Sequence, residues 1–176
     1  MEALLGGLFK EVGPFLAEYG IWGLIVLTFA EASFLPVFPE VLLIPMSLFN
    51  PTLAPLYALA ATLSSTAGGL FGRWLGLKAG RPLLERFVSA GRIKNVEHWF
   101  QRYGGWAVGL AALTPVPYKV FTIASGVFGV PVRLVFWGSL LGRGIRFSLQ
   151  AFAIFFLGED AEDFLTRHTE ELTLFL

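Results

Sequence analysis

Apolar residues run in long stretches along this chain, and twice a stretch is interrupted by prolines in the same manner. The first interruption reads Phe34-Leu-Pro36-Val-Phe-Pro39-Glu40, followed by an apolar run from Val41 to Phe49. The second reads Leu113-Thr-Pro115-Val-Pro117-Tyr-Lys119, followed by Val120 to Gly126. Proline lacks the backbone donor and disfavours helix at the residue before it, so both places predict unwound backbone inside hydrophobic sequence. At membrane depth such backbone is tolerated only where protein or a water-filled cavity surrounds it. Two broken segments in corresponding halves of a chain are a pointer to a transport site between inverted repeats.

The lengths of the apolar stretches divide the chain. Ile21 to Leu35 is 15 residues long, short of the roughly 20 a helix needs to cross a bilayer. Residues 21–50 and 106–128, each two short arms around prolines, are therefore expected as re-entrant hairpins, while 53–75 and 134–157 are long enough to cross. Gly68, Gly72, Gly76 and Gly80 fall on one face of the first crossing, which predicts close helix packing. Between the crossings, residues 78–104 carry Lys78, Arg81, Arg86, Arg92, Lys94 and Arg102 against Glu85 and Glu97, a net +4. Short basic segments stay cytoplasmic, and the apolar spacing there suggests amphipathic helices broken near Gly91. Two crossings then put both termini on the extracytoplasmic side, and the hairpins enter from opposite faces. The expected fold is a single all-α membrane domain over 1–176, an inverted repeat of two opposed re-entrant hairpins plus two full transmembrane helices, in the cell (inner) membrane.

The flanks fit that frame. Leu5, Leu8, Phe9, Val12, Phe15, Leu16 and Tyr19 recur at helical spacing, so 2–19 reads as an interfacial amphipathic helix or a short helix on the domain's edge. Nothing there resembles a cleavable leader. The segment 159–176 is an acidic tail.

Composition sharpens the membrane reading and removes other classes. Apolar residues are 55% of the chain and charged ones 15%, against roughly 25% charged in soluble domains. Mean hydropathy is +0.67, and there are 18 Phe and 5 Trp. Net charge is zero, which gives no footprint for nucleic acid. The chain has no cysteine, so disulfides and thiolate chemistry are excluded. His98 and His168 lie in polar flanks, and no metal-ligand cluster or nucleophile elbow is present. No enzyme, cofactor or metal is expected.

Five charges fall where charges are costly: Glu31, Glu40, Lys119, Arg143 and Arg146. Each costs about 2.5–3.5 kcal/mol at the bilayer centre, so the group needs partners, a watery cavity or altered protonation. Arg143 and Arg146, spaced i, i+3, share a helix face. Charge pairing alone would explain the set. The functional reading adds that the set lines a polar cavity for an anion or a proton, and a desolvated Glu31 or Glu40 could carry that proton. Half-helix N-termini at the elbows favour phosphate or carboxylate. Arg73, near the end of its span, is expected to snorkel.

These residues carry a resemblance. Glu31-x4-Pro36-x2-Pro39-Glu40, Gly72-Arg73-Trp-Leu-Gly76, Phe100-x-Arg102-Tyr-Gly104, Ala124-Ser-Gly126 and Gly142-Arg143-x2-Arg146-Phe147 occur in the order and spacing of the DedA family, also called the VTT or SNARE-associated domain. The likeness covers roughly residues 20–158. It implies a plasma-membrane protein with two opposed re-entrant hairpins that moves lipids between leaflets. Undecaprenyl phosphate and aminophospholipids are the implied cargoes, often with dependence on proton motive force. By the same resemblance the family's two important acids fall on Glu31 and Glu40. One departure stands out: where the family's second hairpin carries Arg-Phe-x4-Arg, this chain has Leu113 and Lys119, and lysine is a point charge rather than a planar fork. The expected function is a lipid or lipid-phosphate transporter, with protons as a candidate coupling ion. The alternative is a non-transporting membrane scaffold or assembly factor. Membrane lipids are the expected partners, and a homo-oligomer is left open.

Overall fold

A computed structural model describes residues 19–34, 38–87, 89–114 and 117–157. The acidic tail, residues 2–18 of the expected interfacial helix and the elbow residues Pro36 and Pro115 lie outside them. All described elements are helical: α1 through residues 19–33, α2 Glu40–Phe49, α3 Ala54–Phe87, α4 Ala90–Tyr103, α5 Ala107–Leu113, α6 Tyr118–Val127 and α7 Val132–Leu157. Short 3-10 turns at Pro51–Leu53 and Gly104–Trp106 lead into α3 and α5.

Each proline-broken segment forms two short arms, α1 with α2 and α5 with α6. At 1.5 Å per residue, α2 and α6 are about 15 Å long and α5 about 10 Å, well under the roughly 30 Å of a hydrocarbon core. The expected spans 53–75 and 134–157 fall on α3 and α7, of 34 and 26 residues. Among the described residues, no helix is long and apolar enough to cross a membrane. Polar residues interrupt both long helices, and many of them face inward. On α3, Thr62, Ser65 and Thr66 are buried while Leu56, Leu59, Leu63 and Trp74 are exposed. On α7, Ser139 and Arg143 are buried while Trp137, Leu141, Ile145, Leu149 and Phe152 are exposed. Each long helix thus sets buried polar groups opposite a strip of exposed large apolar side chains.

Two local expectations, for Gly80 and Arg73, change. Gly80 adopts φ +65° and marks a kink in α3, because the left-handed region is open to glycine; it does not extend the packing face. The basic segment is helical, as its apolar spacing suggests, with α3 ending at Phe87 and α4 starting at Ala90, so that Gly91 sits in the first turn of α4. Arg73 does not snorkel: its Nε donates to the carbonyl of Val130 at 2.8 Å, fastening the turn after α6 to α3.

The long helices act as a spine. α3 packs on α6 and α7, and α7 packs on α5. The first arm of each hairpin lies against small residues of the long helix that follows it. A Cβ at Gly68 of α3 would strike the carbonyl of Phe29 in α1, and Ser33 Oγ donates to the Gly68 carbonyl at 3.1 Å. In the second half, Gly109 of α5 meets Gly138 of α7, where a Cβ on either would come 3.1 Å from the other's backbone. A third close approach joins α3 to α6: a Cβ at Gly76 would run into the Ile123 carbonyl. Two apolar cores result. One gathers Val108, Phe121, Ile123 and Val135 with Ile93, Val96 and Phe100 of α4; the other gathers Leu24, Leu43, Met46, Tyr57, Phe147 and Ala151.

Candidate functional site

The charged residues converge where these two cores meet. α1 closes with Phe34 N–H donating to the Ala30 carbonyl at 2.8 Å, so Glu31 stands in its last turn. Pro39 precedes α2, where a missing donor costs nothing, and puts Glu40 in the first turn, favourable for a carboxylate. On α7, Arg143, Arg146 and Gln150 recur at i, i+3 and i+7 and face these acids.

Two ion pairs form. Arg143, only 2% exposed, pairs through Nη2 with Glu31 Oε2. Its guanidinium lies over the Tyr118 ring, with Cζ 4.3 Å from the centroid, and 5.3 Å from that of Phe147. Tyr118 belongs to one core and Phe147 to the other, so the cation is held between them. The Tyr118 hydroxyl turns toward Gly69 of α3, where a Cβ would lie 2.5 Å from that hydroxyl and 3.3 Å from Ser139 Oγ. Arg146 donates from Nε and Nη2 to Glu40 Oε1, at 3.1 and 2.8 Å, and from Nη1 to the Thr114 carbonyl at 3.4 Å. One guanidinium thus joins the first hairpin to the end of α5. Gln150 Nε2 adds a donor to Glu40 Oε1 at 3.4 Å.

Lys119 takes another place. Its Nζ donates to the carbonyl of Phe34 at 3.5 Å, at the negative end of α1, and Thr122 Oγ1 donates to the Ala32 carbonyl at 3.2 Å. The second hairpin thereby touches the elbow of the first, without an ion pair between Lys119 and Glu40. Pro39 and Pro117 precede α2 and α6.

Sequence reasoning named Glu31, Glu40, Arg143 and Arg146 but missed Tyr118, Thr114, Thr122 and Gln150. For Gln150 a signal was present: an amide in the run Ser148-Leu-Gln150-Ala-Phe, one turn beyond Arg146. Tyr118 carried none, since an aromatic ring beside a proline reads as core.

Chemically, two buried or half-buried arginines, each balanced by a carboxylate, form a compact cluster of paired charges. Removing any one partner leaves its mate uncompensated in a low dielectric.

The chain matches the VTT domain over residues 35–156. A protein of Haemophilus influenzae is 31% identical over 137 residues, covering 76% of this chain and 71% of that one. Undecaprenyl phosphate transporter A of Bacillus subtilis is 24% identical, covering 72% of this chain and 66% of its own. An uncharacterised membrane protein of the same bacterium is 26% identical, covering 66% and 76%. No solved structure matches the chain. With most of its length matched, the chain belongs to the VTT-domain, or DedA, family of membrane proteins.

Proposed function

We propose that this protein moves a phosphate-bearing lipid between the leaflets of the cell membrane, driven by protons. The observation that carries the reading is the pair of arginines on one face of α7, each held by a glutamate from the proline-broken first segment. Structural charges alone need only be neutralised; here they stand beside the non-helical residues Pro39 and Thr114, where both proline-broken segments meet α7. The similarity to a protein named for undecaprenyl phosphate transport supports a lipid phosphate as cargo. In this reading α3 and α7 cross the bilayer with their exposed apolar faces toward lipid, the two hairpins re-enter from opposite sides, and the α4 surface is cytoplasmic.

Purified protein reconstituted in liposomes with labelled undecaprenyl phosphate, and in parallel with a labelled aminophospholipid, tests the proposal. The phosphate lipid should change leaflets faster than in protein-free vesicles, and faster still with a pH gradient. Protein-free rates in every arm would leave the scaffold reading instead. For topology, Gly91→Cys should be labelled only from the cytoplasmic side and Thr169→Cys only from outside.

A further inference from the structure

Along the seam of α1 and α3 runs an open groove of about 580 Å³. Ile25, Val26 and Phe29 of α1 wall one side, and Leu56, Leu59 and Leu63 of α3 the other. Ala60 and Ala67 complete the lining with single methyl groups, and the hydroxyl of Ser64 donates to the Ile25 carbonyl. That bond and the close approach of Gly68 to the Phe29 carbonyl join the two helices behind the groove. In front, Val26, Leu59 and Leu63 are each more than half exposed, so the groove opens on the medium around the protein. Its lining carries no charge and no free donor, so it can recognise hydrocarbon but not a headgroup.

The dimensions select the occupant. From Leu56 to Ala67 α3 rises about 17 Å, roughly half of the ~30 Å hydrocarbon core and so the depth of one leaflet. Spread over that length, the volume gives a section of about 34 Å², less than half the ~80 Å² of a helix about 10 Å across. A helix cannot enter; an extended methylene chain can. We propose that this groove is the binding site of one acyl chain of a bilayer phospholipid, drawn from the leaflet on the Ala54 side of α3 and kept there as a resident lipid. This rests on the reading that α3 crosses the bilayer and on no assumption about the cargo. An unfilled groove would leave its walls without contacts on one side, and the seated chain supplies them. It thereby completes the packing of α1, the arm that carries Glu31, on the face turned away from Arg143.

Photolabelling of the full chain in detergent, with stoichiometric phosphatidylcholine carrying a diazirine midway along one acyl chain, tests the site without relying on transport. Adducts on Ile25, Val26, Phe29, Leu59 and Leu63 should outnumber those on the comparably exposed Leu141, Ile145 and Leu149 of α7 by about tenfold, a margin that roughly ten added carbon–carbon contacts supply. Phosphatidylglycerol with the same chain should label the groove equally, because no headgroup is read. Ala60→Phe puts a ring into the groove and should abolish the preference. Leu63→Ala removes an exposed wall and should weaken it, and reads the same site should Ala60→Phe fail to fold. Equal labelling of the α1–α3 seam and α7, or a preference unmoved in the folded variants, overturns the proposal. So does groove label that fades as dimers form with rising protein concentration, which would give the face to a second copy. Undecaprenyl phosphate displacing the probe better than unlabelled phosphatidylcholine would give the groove to the cargo's tail and overturn it likewise. The Gly91→Cys and Thr169→Cys labels test the crossing separately, so a failed crossing and a groove that holds no chain are told apart.

Discussion

The two broken segments are built alike and do different chemistry. Each consists of two short helical arms, and each lays its first arm on small residues of the long helix that follows. Yet the first hairpin contributes both carboxylates, Glu31 and Glu40, while the second contributes a ring beneath Arg143, the Thr114 carbonyl to Arg146, and Lys119 on the end of α1. The long helices are unequal too: α7 carries the arginines, whereas the matching face of α3 carries hydroxyls and glycines. The likeness therefore resides in the backbone. The paired charges come from the first segment and α7; the second segment and α3 supply shape, with Lys119 the one cation that the second segment adds to the site.

That division predicts a ranking of mutational effects. The largest should come from Arg143→Met, which strands Glu31 in the interior and should cost about 3–5 kcal/mol, read as thermal stability in detergent. Arg146→Met should cost less, because Glu40 keeps Gln150 as a donor; an equal loss would mean that Gln150 does not support the stranded carboxylate. Gly76→Ala comes next, since its Cβ meets the backbone of Ile123, which cannot swing aside; about 1–3 kcal/mol is expected. An unchanged melting temperature would place that face in lipid rather than against α6.

Tyr118 separates shape from charge within the second hairpin. Tyr118→Leu removes the ring beneath the guanidinium and should cost about 2 kcal/mol, whereas Tyr118→Phe keeps the ring and should stay within about 1 kcal/mol of wild type. A larger loss from Tyr118→Phe would make the hydroxyl, not the ring, the important part. Smallest in stability is Lys119→Met, at most about 1 kcal/mol for a long, partly exposed contact. Its lipid flux should nevertheless fall, with Lys119→Arg retaining it. Stability and flux falling together in Lys119→Met would reduce this residue to a clasp between elbows.

Much of this division is legible in the amino-acid sequence alone, and the part that is not has a physical cause. Proline positions locate both elbows, and apolar run lengths locate α2, α5, α6 and α7 to within a few residues. The cost of charge within apolar sequence singles out Glu31, Glu40, Lys119, Arg143 and Arg146, of which all but Lys119 form the two ion pairs. Partner choice is not legible: related positions after the two elbows suggest nearness of Glu40 and Lys119, but helical phase aims Glu40 at α7 and Lys119 at the Phe34 carbonyl. The glycine pattern on α3 is right for Gly68, Gly72 and Gly76, whose contacts are backbone and side chains of α1 and α6. It is wrong for Gly80, where the same residue type serves a left-handed kink. The seam of Gly109 against Gly138 and Gly142 had a signal that sequence reasoning left unread, since Gly105-x3-Gly109 and Gly138-x3-Gly142 repeat the i, i+4 spacing seen on α3.

The central claim is that the Glu40–Arg146 pair works in transport beyond holding the fold. The most direct test is the double change Glu40→Gln with Arg146→Gln, with stability and lipid-phosphate flux measured on the same preparation. Two amides can hydrogen-bond to each other, and no charge is left stranded, so stability should return toward wild type relative to Arg146→Gln alone. Flux should remain at the protein-free rate, because neither the cation for the phosphate nor the carboxyl for the proton is present. A double variant that is stable and moves lipid at the wild-type rate would contradict the account.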